Sequence, residues 1–157
     1  MKKIIGIMMV LGLVAVTMLF IISTPEDYHE MQDYPWELRS VESELEQFKG
    51  ISLKIKKRTL STSGVEYELT NSTEFDAVYG TDEYVLHVQI EGAWYEVKVD
   101  VDEGLMASVL SSKTSYTSSK NWEQRYGELA PGCYRIVIPI TVDGAEYYMT
   151  DEFVIRN

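Results

Sequence analysis

The sequence predicts an all-β chain, an antiparallel β-sandwich of about seven strands, preceded by one N-terminal apolar helix. Three observations predict it. An uninterrupted apolar run opens the chain, side-chain alternation with a period of two begins after residue 50, and turn residues separate the alternating stretches.

The apolar run comes first. Residues 4–23, IIGIMMVLGLVAVTMLFIIS, are 20 uncharged and mainly apolar positions. As a helix at about 1.5 Å per residue they span about 30 Å, the hydrocarbon thickness of a bilayer. A cleaved signal peptide, the alternative, has an apolar core of about 7–15 residues and an A-x-A-like site. Ile21-Ile22-Ser23 matches such a site poorly. Lys2 and Lys3 precede the run and all 25 acidic residues lie beyond it. The positive-inside rule then places the N-terminus in the cytoplasm and the rest of the chain outside, in a single-pass arrangement. Both readings export the remainder of the chain.

Residues 24–50 read as a juxtamembrane spacer. TPEDYHEMQDYP lacks periodicity, but Leu38, Val41, Leu45 and Phe48 recur at helical spacing. With Pro35 suited to a first turn and Gly50 to a stop, this predicts a short amphipathic helix.

The third region, residues 51–157, alternates. Ile51, Leu53 and Ile55 form one set, Val65, Tyr67 and Leu69 a second, and Tyr84, Leu86, Val88 and Ile90 a third. Glu91-Gly92 predicts a hairpin into residues 93–99. A short strand is expected near 106–110, a Ser/Thr-rich loop over 111–119, and another strand near 120–124. Tyr134, Ile136, Ile138 and Ile140 alternate next, Asp143-Gly144 turns, and residues 147–155 return. Several short strands with turns between them indicate a sandwich.

Composition limits the function classes. One domain of ordinary size fits the 157 residues. The net charge of −11 opposes binding to nucleic acid or anionic headgroups, which need a basic face. One cysteine, Cys133, forms no internal disulfide, and with two histidines no zinc site of three or four Cys/His ligands assembles. No cofactor motif is found.

Leu129-Ala130-Pro131-Gly132-Cys133-Tyr134 reads L-x-P-G-x-Y, a corner entering a strand. In Ig-like sandwiches a tyrosine so placed turns its hydroxyl onto the upstream backbone; a core tyrosine without that bond is the alternative. The stretch from Tyr126-Gly127-Glu128-Leu129 through Pro131-Gly132 to Tyr134-Arg135-Ile136-Val137 resembles the YGxLxPGxYRIV signature of a bacterial immunoglobulin-like domain family. Leu69-Thr70-Asn71-Ser72, Tyr79-Gly80, Gly92 to Val97 and Phe153 are similar to its other landmarks. The resemblance covers residues 51–157 and implies an Ig-like sandwich on exported bacterial proteins, without catalytic residues. Pro139 departs from it: a proline deletes a ladder donor and requires an unpaired side or a bulge.

Weighed residue by residue, the chemistry stays bland. His87 lies mid-strand opposite the apolar alternation and His29 in the spacer, with no G-x-S-x-G elbow; both read as surface residues. Asp100-Val101-Asp102-Glu103-Gly104 invites calcium, but its spacing departs from the EF-hand, and an acidic turn is preferred. Cys133 shares a strand face with Arg135 and Val137 and reads as either exposed or covered by a loop. Trp94, Tyr95, Trp122 and Tyr126 are the candidate stacking surface, against the reading that Trp94 and Trp122 fill the core. Lys54, Lys56, Lys57 and Arg58 suit an edge strand guarded against aggregation. The expectation is a noncatalytic module binding a protein or cell-wall polymer. The alternatives are a protease inhibitor acting through the 111–119 loop and, less favoured, a hydrolase.

Overall fold

Two antiparallel sheets form among the described residues of the computed structural model, 34–99 and 106–156. In chain order the elements are β1 (Leu38–Ser40), β2 (Ile51–Ile55), β3 (Gly64–Asn71), β4 (Ala77–Gly80), β5 (Val85–Ile90), β6 (Ala93–Val97), β7 (Ala107–Leu110), β8 (Thr114–Asn121), α1 (Glu123–Tyr126), β9 (Gly132–Val142) and β10 (Ala145–Ile155). The smaller sheet runs β2-β3-β8; the larger has seven strands built around β9. The predicted span over 4–23 and the acidic turn over 100–104 lie outside the described residues. Among those described, no helix is long and apolar enough to cross a membrane.

Period-two patterning produces the core. On β2 burial alternates strictly, with Ile51, Leu53 and Ile55 inside, and β3 buries Val65, Tyr67 and Leu69. Facing them, β9 turns Tyr134, Ile136, Ile138 and Ile140 inward. Trp122 stacks on Phe153 at 5.4 Å between ring centres, and Phe153 stacks on Tyr134 at 5.7 Å. Glu91-Gly92 and Asp143-Gly144 both hold positive φ at two successive positions, the type I′ geometry that matches strand twist in two-residue hairpins.

The larger sheet forks at β9. One edge of β9 pairs with β10 from Gly132 to Val142. Its other edge pairs with β5 over residues 133–137 and then with β4 over residues 140–142. Pro139 falls between those partners. The amide of Tyr148, its neighbour on β10, donates to the Glu46 carbonyl, so Tyr148 directs its backbone groups away from β9. Pro139 therefore directs its donor-less nitrogen into the gap between β5 and β4. The missing N–H costs no ladder bond there.

Three expectations need correction. The stripe Leu38, Val41, Leu45, Phe48 is no helix: β1 pairs with the edge of β6, and residues 41–48 continue as an irregular strap. The β6 edge supplies backbone partners that a short isolated helix would have to find within itself, so pairing wins. Residues 111–119 are not a loop, because β8 occupies 114–121 and pairs along the whole of β3. Apart from Ser118, half-buried opposite Tyr67, its Ser/Thr residues are exposed at the margin of the smaller sheet, where alternation of apolar residues is not needed. The chain beyond Asn121 then forms the single turn α1 rather than a strand.

Candidate functional site

The larger sheet's outer face, turned away from the smaller sheet, divides at the fork. Its β5–β6 half is roofed by the strap. Cross-strand register aligns Arg39, Glu96, His87, Arg135 and Glu152 in one row over β1, β6, β5, β9 and β10. Arg135, only 4% exposed, makes the bonds that tie this row to the strap. Its Nε donates to His87 Nδ1 at 3.0 Å, its Nη1 to the Ser43 carbonyl at 2.7 Å and its Nη2 to the Glu42 carbonyl at 2.8 Å. The guanidinium also lies over the Trp94 ring, 4.5 Å from its centre. A buried cation is tolerated only when its donors are satisfied, and here the strap carbonyls and the His87 ring satisfy them. The arrangement is a buckle for the strap.

His87 is buried too, which corrects the surface reading. Accepting from Arg135 requires a lone pair on Nδ1 and therefore a neutral ring. Burial, reinforced by the Arg135 charge and opposed by Glu96, lowers its pKa to about 4. Such a histidine is structural. It is not poised as a base near neutrality.

Trp94, Tyr95, Trp122 and Tyr126 do not form a stacking surface. Trp94 lies beneath the strap on the outer face, while Trp122 is fully enclosed between the sheets and donates its indole N–H to the Thr62 carbonyl at 2.8 Å. Tyr126 is buried, its hydroxyl accepting from the Leu86 amide, and Tyr95 is half-buried against the core. Alternation sends Trp94 and Tyr95 to opposite faces of β6, so the pair cannot act together. At the corner, Leu129 is buried, Pro131 and Gly132 lead into β9, and the Tyr134 hydroxyl donates to the Ala130 carbonyl at 2.8 Å. Cys133 is half-buried at the rim of an open cavity of about 700 Å³, and burial raises its thiol pKa. Lys54, on the margin of the smaller sheet, pairs with Asp151 of β10 at 3.2 Å, and the Ile55 amide donates to the same carboxylate.

Across the fork, the β4–β7 half of the outer face has no roof among the described residues. Val109, Val78 and Thr141 align in one row over β7, β4 and β9. Val78 is 43% exposed, Val109 56% and Met106 65%. Beside them lies a groove of about 190 Å³ whose lining includes Val78, Met106 and Pro139 together with Glu83 and Glu146. Sequence reading missed this surface; Val78 and Val109 sit in short strands with too few residues to show which side is apolar. No group of three His, Cys, Asp or Glu able to hold a metal occurs among the described residues.

A family model described as a bacterial Ig-like domain matches residues 47–154. Neither a curated protein nor a solved structure matches the chain. With the sandwich, the tyrosine corner and a match across most of its length, the chain belongs to the bacterial Ig-like domain family.

Proposed function

We propose that this protein is a noncatalytic binding module, carried on the outer side of the cell membrane by residues 4–23, that recognises a protein or a cell-wall component. The observation that carries the reading is how the four buried polar residues among those described, Asn71, His87, Lys120 and Arg135, are used. Asn71 donates to the Phe75 and Leu110 carbonyls, Lys120 to the Thr81 carbonyl, and Arg135 to the strap and His87. Each is committed to holding the chain's own backbone or its neighbour. A catalytic group needs instead a free face toward substrate. What this rigid scaffold leaves available is surface.

The inhibitor reading loses its basis, since the loop it required is β8. Chemical cross-linking of the full-length chain in intact cells, with mass spectrometry of the products, tests the binding reading. Discrete adducts to one partner or to wall material are expected; a chain that yields none refutes it. Protease treatment of whole cells tests the placement, because an exported domain is removed and a cytoplasmic one survives.

A further inference from the structure

Resting on that reading, we infer that the bare β4–β7 half of the outer face is the docking surface, and that its occupant is a protein segment presenting a lysine or arginine next to aliphatic residues. The groove between Val78, Met106 and Pro139, at about 190 Å³, has the dimensions of one long side chain rather than of a folded element. Its lining joins these apolar side chains to Glu83 and Glu146, with no lysine or arginine among them. Among the described residues, neither carboxylate takes part in an ion pair; Glu146 accepts from the Tyr148 hydroxyl at 2.7 Å. Lysine and arginine are the side chains that join an aliphatic stem to a cationic head. The stem would cover Val78 and Met106, the head would meet the carboxylates, and an aliphatic neighbour would cover Val109. The chain's net charge of −11 would steer such a partner inward and repel a second copy of itself. On the other half of the same face, the strap shows that an irregular segment can lie across these strands and be held.

The test uses the full-length chain and a fluorescein-labelled octapeptide alternating valine and arginine, read by anisotropy, with a valine/glutamate octapeptide as control. Saturable binding of the arginine peptide is expected, weakened several-fold by Val109→Ser and tenfold or more by E83Q/E146Q, with the double variant also flattening its salt dependence. The glutamate peptide should not bind. Absence of saturable binding overturns the proposal, as does equal binding of both peptides or an affinity indifferent to E83Q/E146Q. Two further results overturn it by naming another occupant. One is dimerisation of the chain lost on Val109→Ser, and the other is retention on isolated wall polymer lost on the same change. Circular dichroism of each variant verifies its fold; all three substituted positions are exposed. Cellular adducts that persist in E83Q/E146Q would refute this surface while leaving the binding reading intact, whereas no adducts in either form would refute that reading itself.

Discussion

One sheet face carries two opposite solutions to the same problem. Over β5 and β6, the strap closes on the face and traps a cation, a neutral imidazole and an indole beneath it. Over β4 and β7, the more apolar side chains Val78, Val109 and Met106 stay in water. The difference begins at Pro139, where β9 changes partners and the sheet splits into two arms. The strap crosses from the β6 edge to the β10 edge through Val41, Ser43 and Glu46; its Leu45 reaches the cavity that Glu83, Pro139 and Glu146 line at the fork, and Val78 and Val109 beyond stay exposed. One face of one sheet is thus covered, with its charged and polar row, on one side of Pro139 and bare, with its valines, on the other.

The largest effect expected from breaking this contrast is at Arg135. R135M removes the three donors, releases the strap at Glu42 and Ser43 and leaves His87 Nδ1 buried without its donor, a loss of about 3 kcal/mol in urea denaturation. Combining it with Trp94→Ala should reveal a coupling of about 1 kcal/mol, the signature of stacking beneath the strap. If the two losses simply add, the guanidinium and the indole act independently.

Acid should loosen the roofed half next. The folded-state pKa of His87, about 4, lies below its ordinary value of 6.5. Between those values the unfolded chain binds a proton that the folded chain refuses. Stability is therefore full above pH 6.5, falls as pH drops from 6.5 toward 4, and levels below that for this group. The loss is on the order of 3 kcal/mol. The groups facing the ring are Arg135, Glu96 and Arg39; the last two pair with each other at the end of the row. H87Q keeps an acceptor for Arg135 and does not titrate, so its stability profile should lack this slope. An unchanged slope in H87Q would assign the pH dependence to the carboxylates.

A smaller loss is expected on the inner side of β9. Tyr134→Phe deletes only the hydroxyl bond to the Ala130 carbonyl and should cost about 1 kcal/mol by the same denaturation measurement. Val109→Ser on the bare half should change stability by no more than about 0.5 kcal/mol, because the side chain is already in water. A loss near 2 kcal/mol there would mean the bare half is covered after all.

Much of the fold is legible in the letters. Alternation marks β2, β3, β5, β9 and β10, the hairpins are signalled by Glu91-Gly92 and Asp143-Gly144, and L-x-P-G-x-Y marks the corner at Tyr134. The buckle is not. His87 and Arg135 stand on the outward side of their strands, where local periodicity assigns water. A signal exists in GCYRIVIPITV, which carries Val137 and Pro139 on the face opposite its isoleucines, a partial mark of a strand buried on both sides. The strap misleads in the other direction: Val41, Leu45 and Phe48 are spaced as on a helix because an irregular segment crossing a sheet also touches it at intervals.

What the letters alone determined is local and periodic: where strands alternate, where hairpins turn, where a tyrosine pins a corner. Only the tertiary structure decided which face of β9 receives a cover, and from which part of the chain. Period-two patterning reports that a side chain leaves the sheet on a given side. Whether water or residues 41–46 wait on that side depends on contacts about 90 positions apart, such as Arg135 with Glu42 and Ser43, and no local rule records them.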